Sequence, residues 1–404
     1  MKVFLTGVTG QLGRVLAQEL LSQGYSVCGL VRNISKQPLT GVQKVAGDLK
    51  DPASFIEDLQ SCDYLILAGA AYRDAKVSNT ELLQVNAESI NKLFALLANK
   101  DHSIKKAIYI STNAVCDLTT ETPKSETSPL GPADFYQFSK LLGEENFLRW
   151  TKLLNVPGIV IRPAMIWGQG DERLKKIFEF GKKLVAIKLR GYDSWCHTVT
   201  FKDLSKTIIA CLKKDKLQEG VFLVAGKRAV RFTTLVTLIS YLFNKQIYFV
   251  NLPPQPLFLL ADFLEPLGKL FKFDPPIYNR RLEFFCKNRI FDCAKIEKQL
   301  GRIFENDLIS EAYEIAREYG YLNSQIPTIK SEKLEVVLLE RLSDSVLAYD
   351  ASRNLHFIPL GYNYSADKSL ETLVVSPVLK IFRVSELYLN NRKITDSFDL
   401  REIA

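Results

Sequence analysis

The sequence predicts an α/β protein with a Rossmann-type, doubly wound parallel sheet at its amino-terminal end. Two observations lead to this prediction. Short apolar runs alternate with helical patterns over the first 162 residues, and a glycine-rich turn directly follows the first apolar run. This alternation is typical of strand–helix units joined by right-handed crossovers, in which helices cover both faces of the strands.

The predicted elements follow one another closely in the first half of the chain. Strands are expected at 2–5, 25–31, 42–46, 64–68, 107–110 and 158–161. Helices are expected at 11–23, 79–99 and 133–154, and a short helix opens at Pro52. Beyond Pro163 the pattern loosens, and we expect helices at 172–185, 201–214 and 306–319 and a strand at 221–225. An apolar stretch at 253–273 is broken by Pro266.

The same patterning divides the chain into predicted domains. Residues 1–324 form one extended unit, with the Rossmann core at about 1–165 and a smaller substrate-binding lobe mainly at 166–324. Residues 325–404 contain five strand-like runs, which predict a strand-rich appendage of unknown role. Its apolar strands must pack on each other, on the main domain or on a second subunit of a homodimer.

Composition excludes several classes of protein. A net charge of +8 without Lys/Arg runs between aromatic residues does not indicate nucleic-acid binding. Seven scattered cysteines and three histidines favour neither a disulfide framework nor a metal site. The first predicted strand begins at residue 2, so we expect no signal peptide. No apolar run reaches the roughly 18 residues of a membrane span, so we expect no spanning helix. A cytoplasmic location is the expectation that follows.

The turn at 6–13 has the sequence TGVTGQLG and lies between a predicted strand and a predicted helix. Gly7 permits the tight turn, Gly10 lets the backbone approach a pyrophosphate, and Gly13 lets the helix lie close to the sheet. The helix amino terminus attracts phosphate groups. We therefore expect a dinucleotide here, with Thr9, Gln11 and Leu12 also in contact. The alternative is a glycine-rich turn without a ligand.

The end of the second predicted strand bears on the choice of cofactor. An NAD site usually has an acidic residue there, whereas this chain has Arg32. A guanidinium suits a 2′-phosphate, so NADP is favoured and NAD remains possible, with Arg14 and Lys36 as helpers. The alternative for Arg32 is a solvated side chain. Asp48, which precedes Leu49, is placed for the adenine edge or for capping the helix at Pro52.

The segment YQFSK at 136–140 has the spacing Y-x-x-x-K on a predicted helix, which places Tyr136 and Lys140 on one face. A nearby ammonium lowers the pKa of a phenol, so Tyr136 can exchange a proton with a carbonyl or alcohol oxygen. Lys140 can also hold the nicotinamide ribose. Thr112 follows the fifth strand and can polarise the same oxygen. The alternatives are a solvated helix face and, for Thr112, a turn cap.

Together these residues resemble the extended short-chain dehydrogenase/reductase family over about residues 1–323. The segments that carry the resemblance are TGVTGQLG at 6–13, GDLKD at 47–51, LAGAA at 67–71, STNAV at 111–115, YQFSK at 136–140, IRPAMIWGQGD at 161–171, FKDLSK at 201–206 and VFLVAGK at 221–227. The resemblance implies that Thr112, Tyr136 and Lys140 form the catalytic triad. It also implies a set of cofactor contacts: Leu49, Ala68, Gly69 and Ala70, with Asn86 nearby, and Pro163 and Met165 at the nicotinamide.

Departures from the family pattern narrow the expected function. Asn113 and Ala114 stand where sugar-nucleotide dehydratases carry an Asp-Glu pair, and Cys116-Asp117 replaces the usual Tyr-Gly.

The segment 274–280 after the apolar stretch resembles the 3-beta-hydroxysteroid dehydrogenase-like branch. That likeness implies an apolar ketone or alcohol as substrate. For 253–273 it implies a substrate lid or a peripheral membrane contact, with a buried helix pair as the alternative.

These observations predict an NAD(P)-dependent oxidoreductase that transfers a hydride between the nicotinamide and the carbonyl or hydroxyl carbon of an apolar small molecule. One alternative is an NAD-dependent sugar-nucleotide epimerase, and another is a nucleotide-sensing or assembly protein on the same fold. The intact triad favours the two enzymes over the sensor. Arg32 and the apolar stretch favour the oxidoreductase over the epimerase. The sequence gives neither the substrate nor the direction of the reaction.

Overall fold

The computed structural model describes residues 1–34, 40–72, 77–120, 123–168, 172–183, 185–226, 229–243, 247–271, 273, 275, 277–301, 312 and 315–320, and the backbone of strands between 331 and 394. Up to residue 252 the strands are β1 (Lys2–Thr6), β2 (Ser26–Val31), β3 (Gln43–Ala46), β4 (Tyr64–Leu67), β5 (Lys106–Ile110), β6 (Gly158–Pro163), β7 (Met165–Trp167), β8 (Val185–Leu189), β9 (Trp195–Thr200), β10 (Gly220–Val224), β11 (Ala229–Arg231) and β12 (Tyr248–Leu252). The helices are α1 (Gln11–Ser22), α2 (Ile56–Gln60), α3 (Asn79–Leu83), α4 (Ser89–Leu97), α5 (Phe135–Leu153), α6 (Glu172–Gly181), α7 (Phe201–Lys213), α8 (Phe232–Leu242), α9 (Pro254–Phe271), α10 (Asn279–Cys286) and α11 (Ala294–Leu300).

The chain folds into two compact units. The first contains Met1–Trp167, Thr198–Gly226 and Phe291–Glu305, and the second contains Gly168–His197, Lys227–Ile290 and Asn306–Ala404. The domain boundaries expected from the sequence, at about 165 and at 324, stay predictions.

The first unit is built on a seven-stranded sheet in the order β10-β6-β5-β4-β1-β2-β3, and every neighbouring pair is parallel. From β1 the chain first moves outward to β3 and then returns to β4 on the other side. This reversal is the switch point at which doubly wound sheets bind ligands, beyond the carboxyl ends of the strands. The predicted Rossmann fold is confirmed.

Helices cover both faces of this sheet, as the near-continuous apolar strands predict. Along β1, Val3 and Leu5 face one core together with residues of α1 and α7, whereas Phe4 faces the opposite core with residues of α2, α4 and α5. All three side chains are fully buried. The sheet is therefore enclosed, and its carboxyl edge is where loops can carry polar groups.

One long predicted helix differs from the observed structure. The single helix expected at 79–99 is interrupted by a π-helical turn at Gln84–Glu88, between α3 and α4. An added Cβ at Gly143 of α5 would lie 2.2 Å from the Asn86 carbonyl oxygen, and the Tyr109 hydroxyl donates to that same oxygen at 3.1 Å. The irregular turn therefore lies where Asn86 meets both α5 and β5.

The apolar stretch at 253–273 forms one helix, α9, which continues through Pro266. A proline inside a helix removes a hydrogen bond and normally kinks or breaks the helix. Here contacts hold the residues just before it: Asn279 at the start of α10 donates through its backbone N–H to Glu265 and through its side chain to Asp262, both at 2.6 Å. The expected break at Pro266 was therefore wrong.

The second unit contains short strands that the sequence patterns did not predict. Strands β8 and β12 pair in parallel, and residues 195–197 of β9 pair antiparallel with β11. The aromatic rings of Phe232 and Phe285 pack edge to face at 4.8 Å beside Ala186, Cys196 and Val236. These elements give the unit a small apolar core of its own.

The carboxyl-terminal part of this unit is rich in strands, as predicted. The strands are β13 (Ser331–Val336), β14 (Leu338–Arg341), β15 (Ser345–Tyr349), β16 (Leu355–Pro359), β17 (Thr372–Val375), β18 (Ile381–Leu389) and β19 (Arg392–Ile394). They form one sheet in the order β13-β18-β17-β16-β15-β14, with β19 also on β18. Residues 306–311, 313 and 314 of the predicted closing helix lie outside the described residues, as do residues 324–327, whose sequence is typical of a linker; residues 312 and 315–318 are helical.

Candidate active site

The glycine turn between β1 and α1 is closed by backbone contacts that only glycine allows. Gly7 has a φ of +72°, and an added Cβ there would lie 2.7 Å from the backbone nitrogen of Gly69. An added Cβ at Gly13 would lie 2.1 Å from the Gly7 carbonyl oxygen. The amino terminus of α1 therefore packs directly on the turn, and the turn packs directly on the loop after β4.

This turn fits a dinucleotide pyrophosphate. Thr9, Gly10 and Gln11 are exposed, Leu12 is half-buried, and the first turn of α1 has no acidic side chain. A helix amino terminus presents unpaired N–H groups and a positive partial charge, which suit phosphate oxygens. The backbone cradle, which an added Cβ would fill, has the shape expected for close approach of such a ligand.

The loops after β3 and β4 lie beside this turn. The Gly69 N–H donates to Thr6 Oγ1 at 2.9 Å, and an added Cβ at Gly69 would lie 2.9 Å from Leu49 Cδ1. Ala68 is half-buried and Ala70 is exposed. Asp48 accepts from the backbone N–H of Lys50 at 2.8 Å, so its carboxylate closes a local turn and does not cap the helix at Pro52.

Two exposed arginines stand close to the same edge of the sheet. Arg32 directly follows β2, the parallel neighbour of β1, and its side chain is exposed. Arg14 lies on the first turns of α1, and its Nε donates to the carbonyl oxygen of Thr9 at 3.2 Å. Both guanidinium groups thus belong to elements that border the glycine turn. Lys36, the other expected helper, lies outside the described residues.

Asn86 anchors the loop after β4 to α5. Its Oδ1 accepts from the Ala71 N–H at 2.9 Å, and its Nδ2 donates to the Ala71 carbonyl at 3.0 Å and to Ser139 Oγ at 2.9 Å. The side chain is buried, and its amide oxygen and nitrogen both bind protein atoms. The structure therefore places Asn86 between the loop and α5, where it orients backbone that lies close to Lys140.

The start of α5 fixes the position of Tyr136. Asp134 caps the helix by accepting from the Gln137 N–H at 2.9 Å, and the Gln137 side chain accepts in turn from the Ala133 N–H. The helix therefore begins at Phe135, and Tyr136 lies in its first turn. The half-buried ring of Tyr136 meets the ring of Tyr72 edge on, with the centroids 5.0 Å apart.

Lys140 lies one turn further along α5, and its side chain is only 1% exposed. Its Nζ donates to the carbonyl oxygen of Ile110 at 2.7 Å and lies 4.1 Å from the centroid of the Tyr109 ring. Burial lowers the pKa of Lys140 from 10.5 to about 7, and the negative charge of Glu144 opposes that shift. Burial also raises the pKa of Tyr109 well above its ordinary value, so this phenol stays neutral against the ammonium.

Thr112 is half-buried and follows the end of β5 by two residues. Its Oγ1 accepts from the Ala114 N–H at 3.2 Å and so caps the 3₁₀ turn Asn113–Val115, which packs against α5. The predicted alternative role, a turn cap, is therefore present. That bond uses a lone pair of the hydroxyl oxygen, and the hydroxyl hydrogen can still be donated to a substrate oxygen.

The carboxyl end of β6 lies next to that of β5. Pro163 is buried at the end of the strand, and Ala164 donates through its N–H to the Val224 carbonyl at 2.7 Å. Met165 begins β7, is half-buried and pairs with Thr198 of β9. Pro163 and Met165 are thus at the same sheet edge as Thr112, which is where the resemblance places the nicotinamide.

Close to these candidate catalytic residues lies a buried charge pair that sequence reasoning missed. Glu144 of α5 accepts from Arg162 of β6, from Nε at 3.0 Å and from Nη2 at 2.6 Å, and it also accepts from Ser111 Oγ. Burial alone would lower the pKa of Arg162, but the hydrogen bonds and charge of Glu144 outweigh it and raise that pKa. In the sequence, this pair is indicated by Arg162, a single charged residue near the end of an otherwise apolar strand.

Among the described residues, no group of three or more His, Cys, Asp or Glu side chains could hold a metal ion. No helix in this part of the chain is long and apolar enough to cross a membrane.

The model of the NAD dependent epimerase/dehydratase family matches residues 3–219 of this chain, more than half of its length. The chain belongs to this family. The match spans the glycine turn, the residues Thr112, Tyr136 and Lys140, and the Glu144–Arg162 pair.

Two curated relatives illustrate the range of this family. A decarboxylating sterol-4-alpha-carboxylate 3-dehydrogenase of Dictyostelium discoideum is 26% identical over 234 residues, 56% of this chain and 71% of the relative. A 4-hydroxy-2-methyl-3-oxo-4-farnesyl-3,4-dihydroquinoline-1-oxide ketoreductase of Stigmatella aurantiaca is 32% identical over 180 residues. That alignment covers 42% of this chain and 52% of the relative, so the chain spans about half the length of this second protein.

A solved structure shows the same fold. A short-chain dehydrogenase/reductase superfamily protein from Agrobacterium tumefaciens, with bound NAD, is similar at a TM-score of 0.62. The comparison covers 80% of this chain and 98% of the other, at 18% sequence identity.

Proposed function

We propose that the chain is an NADP-preferring oxidoreductase that interconverts a carbonyl and a hydroxyl group on an apolar small molecule. One observation carries the proposal: the Lys140 ammonium is bound to the Ile110 carbonyl at 2.7 Å, at the carboxyl end of β5. Tyr136 lies one helical turn before Lys140, and Thr112 lies two residues after Ile110. Three groups suited to proton transfer are thus carried by α5 and by the segment after β5, at the ligand-binding edge of the sheet.

Each group has a separate task in this reaction. Tyr136 gives a proton to the substrate oxygen, or takes one from it. The Lys140 ammonium favours the phenolate form of Tyr136 and binds the ribose of the cofactor. The Thr112 hydroxyl donates to the same substrate oxygen and lowers the energy of the charge that develops there. A bound nicotinamide supplies or accepts the hydride.

The aromatic neighbour of Tyr136 supports an apolar ligand. Tyr72, which meets the Tyr136 ring at 5.0 Å, is 46% exposed and offers an aromatic surface next to the acid–base group. The names of the two relatives point the same way, since one acts on a sterol carboxylate and the other on a farnesylated quinoline. Rings and prenyl chains of that kind gain most from contact with an aromatic surface.

A sugar-nucleotide epimerase is the second candidate, because the matching family model covers epimerases and dehydratases together. Arg32 argues against an epimerase, because it stands where a tight NAD site places an acidic residue. Asn113 argues against the related dehydratases, which carry an acid at the position after the threonine.

Loss of nicotinamide absorbance, measured with purified protein, separates the two candidates. The protein is mixed with NADPH and either a long-chain methyl ketone, acetophenone or UDP-glucose. We expect NADPH to be consumed when a ketone is present. In a separate mixture with NAD in place of NADPH, we expect no epimerisation of UDP-glucose. Epimerisation of the sugar without net consumption of cofactor would establish the second candidate instead.

A further inference from the structure

Glu144 joins the three segments that carry the candidate catalytic groups. It lies on α5 one turn after Lys140, accepts from Ser111, the residue before Thr112, and binds Arg162, the residue before Pro163. Strand β6 is also tied to this point because the Ser111 N–H donates to the Ile161 carbonyl at 2.8 Å. One carboxylate therefore connects α5, the end of β5 and the end of β6.

Such a connection is costly unless the charges are well paired. Glu144 is 2% exposed and Arg162 is 4% exposed, so both have left water almost completely. A buried ion pair of this kind often contributes little to stability when compared with apolar residues of the same volume. Stability alone therefore does not explain why two charges lie directly behind Lys140.

The surroundings of Lys140 suggest what the pair does. Its own helix contributes Tyr136 and Glu144, β5 contributes the neutral phenol of Tyr109, and the Asn86 turn contributes an uncharged amide. Arg162 of β6 reaches this region through its contact with Glu144. Within the described surroundings, Glu144 is the negative charge that acts on the lysine.

We propose that Glu144 is a positioning residue for Lys140: held by Ser111 and Arg162 one helical turn further along α5, its carboxylate attracts the Lys140 ammonium and helps to hold it at the end of β5. This inference rests on the proposed function in one respect, namely that Lys140 favours the Tyr136 phenolate and binds the ribose. Without the carboxylate, the buried amine would give up its proton at a lower pH and lose the charge with which it favours the Tyr136 phenolate and binds the ribose.

The test is a titration of Lys140 in the cofactor-free protein by carbon-13 NMR of lysine ε-carbons, with the signal assigned by its absence in Lys140→Met. The wild type should titrate near pH 7. In Glu144→Gln the midpoint should fall by about one pH unit or more, because the favourable charge is gone. Glu144→Asp should restore most of the shift, and Ser111→Ala, which removes one of the two groups that hold the carboxylate but keeps both charges, should lower the midpoint by less than Glu144→Gln.

Glu144→Gln leaves Arg162 buried without its partner and can prevent folding. The double variant Glu144→Gln/Arg162→Met removes both charges at similar volume and can be titrated in that case. Its midpoint should fall by less than in Glu144→Gln, because the positive charge of Arg162 is lost as well. A lowered midpoint in the double variant supports the proposal. A Lys140 midpoint that is unchanged in a folded variant without Glu144 overturns it, since a purely structural role would change thermal stability and leave the titration where it was.

NADPH affinity as a function of pH connects this result to the proposed function. If Lys140 binds the ribose, the pH at which affinity falls should move down together with the NMR midpoint in Glu144→Gln. An NMR shift without a matching shift in affinity would leave the role of Glu144 intact and contradict the role of Lys140 in cofactor binding. The two claims therefore fail separately.

Discussion

At the scale of single residues, the buried ammonium of Lys140 links the chemistry of the site to the stability of the protein. Burial lowers its pKa in the folded state to about 7, whereas in the unfolded chain the group has an ordinary pKa of 10.5. At pH values between about 7 and 10.5, Lys140 is protonated in the unfolded chain and largely neutral in the folded protein, so the unfolded state binds one more proton. The free energy of unfolding should therefore rise with pH in this window and stay at its lower level below about pH 7.

This behaviour gives a prediction for Lys140→Met without cofactor. The variant should unfold at higher denaturant than the wild type near pH 7, because it no longer buries a charge. In the wild type, Lys140 should raise the free energy of unfolding by about 1.4 kcal/mol per pH unit through the middle of the range between its folded and unfolded pKa values. The variant should lack this slope. Guanidinium unfolding at a series of pH values measures both. Parallel pH curves for the two proteins would show that Lys140 is not the group responsible.

Arg32 carries the prediction about cofactor choice. Calorimetric titration should show tighter binding of NADPH than of NADH, and Arg32→Asp should reverse the order because a carboxylate repels the 2′-phosphate and accepts from ribose hydroxyls. Lys92→Glu, on the exposed side of α4, makes the same change in net charge away from the glycine turn and serves as the control. Equal affinities in the wild type, or an equal loss in both variants, would contradict the assignment.

Sequence reasoning found the residues whose roles depend on local spacing and missed those whose roles depend on the fold. Tyr136 and Lys140 are one helical turn apart, and the glycines of the turn lie within seven residues, so a motif contains each set. Glu144 and Arg162 are 18 residues apart on different elements. Only the packing of α5 against β6 brings them together, and no local pattern encodes that contact.

At the scale of elements, long periodic segments were predicted well and short ones were not. The central strands and α5 lie within a few residues of their predicted bounds, since their apolar patterns repeat over the whole element. Strands β7 and β11 have three residues each, too few for a period to show. The π-helical turn at Asn86 follows from contacts with Gly143 and Tyr109, which are distant in sequence.

Helix α9 carries the prediction of a peripheral membrane contact. Ala261 is buried, but Leu259, Phe263 and Phe271 are exposed by 65% or more, so the helix is not the fully buried one considered as an alternative. We expect the protein to float with phosphatidylcholine vesicles in a density gradient, and Leu259→Ser/Phe263→Ser to float less because the apolar area is lost.

The control for this experiment is Leu153→Ser, which removes an equally exposed leucine at the end of α5. It should leave vesicle binding unchanged. A wild-type protein that stays at the bottom of the gradient, or a double variant that floats as well as the wild type, would remove the membrane contact from the account.

At the scale of the whole molecule, the domain boundary at 324 is still to be tested. A chain of residues 1–324 should fold and bind NADPH, because the parallel sheet and the glycine turn are complete before Phe232 and the strands beyond 330 pair with one another. Thermal melting and a cofactor titration of this shorter chain decide the matter. An insoluble product, or one without NADPH affinity, would mean that the tail belongs to the main core.

The central claim is that Tyr136 exchanges the proton while the fold holds the dinucleotide. The most direct measurement compares Tyr136→Phe with the wild type in two assays, NADPH binding by calorimetry and ketone-dependent loss of nicotinamide absorbance. The account predicts nearly unchanged NADPH affinity and a turnover reduced by at least about a hundredfold, the lower end of what a positioned acid–base group contributes. A Tyr136→Phe protein that reduces the ketone at close to the wild-type rate would contradict it.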